Sequence, residues 1–164
     1  MWVLALLPFF LQAIFITVDE FYFHIKRGLP LWERIGHPLD TLSVIVCMAY
    51  VLLMPFNDFH LKIYIVLALI STLLVTKDEF VHKHHCSALE NWLHALLFTV
   101  HPVTLIMVAL IWGSGTSFTW SSWLHQMHSP RLFLFIQTSL MSLFFLYQIF
   151  FWNIIWRKKE VVKY

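Results

Sequence analysis

The sequence predicts an all-α integral membrane protein: a four-helix bundle made of two parallel-repeat helical hairpins, with a fifth transmembrane helix beside it. Three observations carry this expectation. The 164 residues are 60% hydrophobic and only 12% charged, whereas a soluble domain is roughly half apolar and about a quarter charged. The apolar residues form continuous runs that reach the length of about 20 residues a spanning helix needs. A β-barrel would instead alternate apolar and polar positions. Finally, the polar residues recur: Asp19-Glu20-Phe21 is answered by Asp78-Glu79-Phe80, and Glu33/His37 by Glu90/His94.

Span 1, about 2–25, is apolar from Trp2 and lacks the basic n-region of a secretory leader, so it reads as a membrane span. It ends in Asp19-Glu20-Phe21-Tyr22-Phe23-His24. Span 2 is expected at about 38–56. Ahead of it, Pro30 suits a first helical position and Glu33 favours a helix start through the macrodipole. Pro38 disfavours a helical His37, which weakens the case that Glu33 and His37 share one helix. Asp40, in the first turn, reads as a ligand, an acceptor for His37 or a helix N-terminal charge. Span 3, about 61–85, carries Asp78 and His82 four apart, with His85 on the same stripe. Span 4, about 88–112, opens on Ser87-Ala88-Leu89-Glu90, a capping-box pattern, so Glu90 reads either as a cap or as a site residue. His94 and His101 follow Glu90 at i+4 and i+11 on one face. Span 5, about 131–156, has no acidic, basic or imidazole residue between Leu132 and Trp156. It is expected to flank the bundle, to close a groove or to form a homo-oligomer interface through its small and amide residues.

These elements make one domain with an internal repeat, about 1–57 and 60–113. Both hairpins run in the same direction, which implies a pseudo-twofold axis along the membrane normal. His37-Pro38 also resembles His101-Pro102, an alternative register shifted by two turns. Cys47 and Cys86 give no disulfide signal. Five spans put the termini on opposite faces. One face carries Lys26, Arg27, Arg34, Lys77, Lys83, Arg157, Lys158, Lys159 and Lys163, against Lys62 and Arg131 on the other. The positive-inside rule then predicts a cytoplasmic C-terminus and clustered face, with the N-terminus outside. The net charge of +2 gives no reason to expect nucleic acid as a partner; membrane lipids are the expected surroundings.

Carboxylates and imidazoles in a bilayer are expensive and mark function. Together they form the ligand set of iron, manganese and zinc, and four-helix bundles build dimetal sites from inward-facing Glu and His. The candidate metal ligands are Glu20, His24, Glu33, His37, Asp78, Glu79, His82, Glu90 and His94, with Asp19, Asp40, His85 and His101 as further ligands or supporting groups. Two metal ions are expected, iron foremost, with zinc or manganese as alternatives. Span 3 taken to His85 would be about 37 Å long at about 1.5 Å per residue, against about 30 Å of hydrocarbon, so the clusters belong at the inner rim.

In architecture this layout is similar to the membrane-bound fatty-acid hydroxylases and desaturases, which place a histidine-rich di-iron site at the cytoplasmic ends of four transmembrane helices. Their His-x-x-x-His and His-x-x-His-His boxes are missing; His82-Lys83-His84-His85 is the nearest approach. The likeness implies oxidation of a lipid or other apolar substrate with electrons from a donor protein. A membrane zinc hydrolase of a lipid amide or ester is the first rival. A non-enzymatic metal or proton transporter is the second.

Overall fold

The computed structural model describes residues 2–78, 86–114, 116, 123–124 and 129–156. Regular structure among these is entirely helical. Five helices are long and apolar enough to cross a membrane: α1 (Val3–Arg27), α2 (Leu31–Leu53), α3 (Asp58–Val75), α4 (Ala88–Gly113) and α5 (Pro130–Ile155).

Two boundaries differ from expectation. Helix α2 begins at Leu31, with Pro30 at its N-cap, and runs through Pro38, so Glu33 and His37 do share one helix. A proline in a helix interior removes one hydrogen bond and crowds the preceding turn. The helix runs on through it nonetheless, and Pro102 lies inside α4 in the same way. Helix α3 ends earlier, passing at Thr76–Asp78 into a 3-10 turn. Glu79, His82 and His85, and the side chain of Asp78, lie outside the described residues.

Helix α2 is the hub. It packs most extensively against α5 and then against α3, while α1 lies along α4 and α3 also touches α4. One half of the helix assembly is an apolar core of Phe9, Val44, Cys47, Met48, Val51, Tyr64, Leu105, Val108, Ile111 and Leu134. Tyr64 fits there because its hydroxyl donates to the Leu105 carbonyl at 2.7 Å. Large apolar side chains such as Phe10, Ile14, Leu69, Ile106 and Leu143 stand exposed on the helix surfaces, as a lipid-facing exterior requires. The other half of the assembly holds the buried polar groups: Gln12, Asp19, Glu20, His24, Glu33, Glu90, His94 and Gln148. Span 5 is therefore tied into the polar half, where Thr41 of α2 donates to Gln148 at 2.7 Å.

Candidate metal centre

The polar half is organised by a local widening of α1. Over Asp19–His24 the helix adopts a π turn, closed by the Ile25 N–H bonding the Glu20 carbonyl. At 3.6 residues per turn, Asp19 and His24 would project about 140° apart. The wider turn brings both to one side together with Glu20, and all three are buried. Asp19 then grips two imidazoles: Oδ2 lies 3.2 Å from His24 Nε2 and Oδ1 lies 3.1 Å from His94 Nε2 on α4. Glu20 Oε2 meets His24 Nδ1 at 3.1 Å. Its other oxygen accepts the indole N–H of Trp152, which sits in a second π turn, Phe151–Ile155, at the end of α5. Such turns recur at functional sites because they re-aim side chains that a regular helix would splay.

Arg27 organises the other side. Gly28, at φ +76°, supplies the left-handed residue that ends α1 and sends the chain towards Pro30. The guanidinium therefore turns back into the bundle. It holds Glu33 of α2 bidentately, at 3.1 and 2.7 Å, and reaches Glu90 of α4 at 2.9 Å. Glu33 is 0% exposed. His37 Nε2 lies 3.9 Å from Glu33 Oε2, and the His37 ring packs against that of His24 with centroids 4.7 Å apart. Cys86 sits beside this group. Burial pushes its thiol well above the ordinary range; the nearby Arg27 charge opposes that shift and the Glu90 and Glu33 carboxylates add to it.

Only half of the expected capping box forms. The Glu90 backbone N–H donates to the Ser87 hydroxyl at 3.3 Å, the N-cap bond, while the Glu90 carboxylate serves Arg27 and does not reach back to Ser87. Ser87→Ala is accordingly expected to cost about 1 kcal/mol of stability while leaving the Arg27–Glu90 contact in place. Thermal unfolding in detergent checks the cost. A destabilisation several times larger would mean that the cap also positions the carboxylate.

Asp19, His24, Glu90 and His94 each offer a ligand atom lying within 4.8 Å of the others, and His24, Glu33 and His37 form a second such group. The two groups share His24. Among the described residues, four buried carboxylates (Asp19, Glu20, Glu33 and Glu90) gather around the Arg27 guanidinium and the imidazoles of His24, His37 and His94, and buried carboxylates in this number call for cationic partners.

Of the sequence-predicted set, Glu20, His24, Glu33, His37, Glu90 and His94 converge here, joined by Asp19. Two others are engaged elsewhere. Asp40 is held by Lys77 Nζ at 2.6 and 2.7 Å. Both ring nitrogens of His101 have partners, Gln12 Nε2 at 3.2 Å and Ser71 Oγ at 3.1 Å. The sequence offers Arg27 and Lys77 as topology charges or as ion-pair partners of the neighbouring acids, and Cys86 as a neighbour of the second cluster; it does not reveal Arg27 as the buried counter-ion of Glu33 and Glu90, or Trp152 as the partner of Glu20.

A cavity of about 100 Å³ opens beside the centre. Asp19, Glu20 and His94 line one part, and apolar residues including Ile16, Phe98 and Phe144 line another. Comparison with known protein families, with curated proteins and with solved structures returns no match to this chain.

Proposed function

We propose that this chain is a membrane-embedded dimetal oxidoreductase, with iron the favoured metal, acting on a lipid or other apolar substrate. The observation that carries the proposal is the pair of ligand groups meeting at His24, built from α1, α2 and α4 beside a cavity that Asp19, His37 and His94 line. Asp19, His24, Glu90 and His94 would hold one ion, with Glu33 and His37 at the second. Charge favours two ions over one. Among the described residues, with ligating imidazoles neutral, four carboxylates less Arg27 and one divalent cation would leave one negative charge unbalanced, which a second cation would meet. Arg27 would share Glu33 and Glu90 with the metals, which a carboxylate's four lone-pair sites permit.

When bound, iron supplies dioxygen activation. The balanced reaction is R–H + O2 + 2 e⁻ + 2 H⁺ → R–OH + H2O, with the electrons delivered by a donor protein. The residues do the rest. The apolar cavity wall lays a hydrocarbon segment beside the acidic end, while Trp152 fixes Glu20, which in turn orients His24. Two repeated hairpins forming a four-helix bundle, with α5 closing one side, make the matching architectural proposal. For sidedness, Arg27 and Lys77 are occupied inside the bundle and drop out as topology charges. Seven basic residues still stand against two, which supports siting the centre at the cytoplasmic rim.

Three of the four groups Asp19, His24, Glu90 and His94, with water in the fourth position, would suit a second reading, a single-zinc hydrolase of a lipid amide or ester with Glu20 or Glu33 as base. Metal analysis and absorption spectroscopy of detergent-purified protein separate the two. The expected result is two irons per chain with an absorption that changes on reduction. One zinc in a colourless, oxygen-independent protein moves the assignment to the hydrolase, and metal well below one per chain ends both.

A further inference from the structure

We propose that the part of the cavity formed by α1 and α4 recognises a hydrogen-bond donor, a hydroxyl or N–H group on an otherwise apolar ligand. The Gln12 side-chain carbonyl is the acceptor. The direction of one hydrogen-bond chain carries this. Ser43 Oγ lies 2.7 Å from the Asp40 backbone carbonyl oxygen, a contact that is favourable only if the hydroxyl proton is donated there. With that proton used, the 2.7 Å bond between Ser43 and Ser71 must be donated by Ser71. Ser71 has one proton, so it accepts from His101 Nε2 at 3.1 Å. The partners of His101 are a hydroxyl and an amide, not a carboxylate, so the ring is the neutral Nε2–H tautomer with its lone pair on Nδ1. That lone pair accepts from the Gln12 amide nitrogen at 3.2 Å.

The Gln12 amide is thereby oriented by bonding rather than by assignment. Its nitrogen faces His101, and its carbonyl oxygen is turned away. Gln12 and His101 both line the cavity, and Gln12 Oε1 is buried without a hydrogen-bond partner among the described residues and closed to water, so a donor reaches it when the Gln12 side chain shifts slightly towards the cavity. Gln12 as a whole is only 8% exposed. A buried carbonyl left unmet costs about 1–3 kcal/mol, so a donor placed there gains what an apolar tip or a pure acceptor cannot. The apolar wall of Ile16, Val44, Leu97 and Phe98 limits the rest of the ligand to hydrocarbon. At about 100 Å³, the space suits a short chain segment or a few waters.

This inference rests on the reading that an apolar ligand enters the cavity, and not on the identity or presence of the metal. Its test compares two isomers of equal size, 1-pentanol and butyl methyl ether. Titration calorimetry would follow the full chain in nanodiscs, corrected for partition into empty nanodiscs, with metal content measured on the same sample before and after chelation. The expected result is 1-pentanol bound about 5- to 10-fold tighter than the ether, with the ratio falling to near one in Gln12→Leu. Imidazole nitrogen shifts of the wild-type protein, assigned with His101→Asn, should show Nε2 protonated and Nδ1 bare, a readout that stands even if Gln12→Leu fails to fold. Ether binding as tight as the alcohol, binding of neither probe (a cavity that holds only water) or a proton on Nδ1 would each overturn the proposal. An alcohol preference in protein that never carries metal would retain this site and remove the dimetal reading. Metal without the preference would do the reverse.

Discussion

Asp19→Asn is expected to strip the purified protein of metal, to below about a tenth of the wild-type content, while its helical circular dichroism stays unchanged. The carboxylate meets His94 through Oδ1 and His24 through Oδ2, so it grips an imidazole of α1 and one of α4 at once. Losing a supporting partner of a metal ligand already costs about 10- to 100-fold in affinity, and a ligand carrying formal charge costs more. Asn keeps the shape and the polar contacts, which separates loss of a ligand from loss of packing. Asp40→Asn is the matched control. Asp40 also lies in α2 near the cavity, but its charge is spent on Lys77, so metal content should stay within the error of the wild type. Full metal in Asp19→Asn, or equal loss in both variants, would remove the centre as assigned.

The contrast between Asp19 and Asp40 marks what the sequence could and could not convey. Continuous apolar runs fix five spans, because length and composition alone decide them; α4 and α5 begin and end within a residue or so of expectation. The residue types of the site were legible too, since carboxylates and imidazoles have no cheap alternative in hydrocarbon. Their roles were not. A regular helical period puts Glu20 with His24 and leaves Asp19 aside, and only the π turn over Asp19–His24 admits all three. No local propensity announces that turn; it is secured by what it touches, Trp152 and His94, which lie far away in sequence. Pro38 misled in the opposite direction, since its bias on the preceding residue is a tendency and His37 is helical all the same. His101 misled because a shared helix stripe was taken for a shared site. Two turns beyond Glu90–His94, its ring nitrogens are already engaged by Gln12 and Ser71.

Arg27→Met is expected to destabilise the metal-free protein by about 3–5 kcal/mol, the cost of breaking a buried ion pair from one side. The guanidinium bridges Glu33 and Glu90 at 2.7 and 2.9 Å; it is 22% exposed, whereas the two carboxylates are 0% and 3% exposed. Removing it leaves both acids buried without their counter-ion. Thermal unfolding of chelated protein in detergent measures the loss. Arg27→Lys should recover only part of it, because one ammonium cannot reproduce a bidentate fork on Glu33 while also reaching Glu90. Combining Arg27→Met with Glu33→Gln and Glu90→Gln should restore most of the stability, since the cost comes from stranded charge and not from lost volume. Metal supplies the same compensation. The defect of Arg27→Met should therefore shrink when iron is restored, because cations at the centre then balance the acids that the guanidinium balanced. Lowering the pH should also narrow the gap, since protonating the acids removes their charge in the variant. A variant that melts within about 0.5 kcal/mol of the wild type in chelator would mean that Glu33 and Glu90 are already neutral without Arg27. Equal damage with and without iron would mean that metal and guanidinium do not answer to the same carboxylates, and Glu33 and Glu90 would then leave the ligand set.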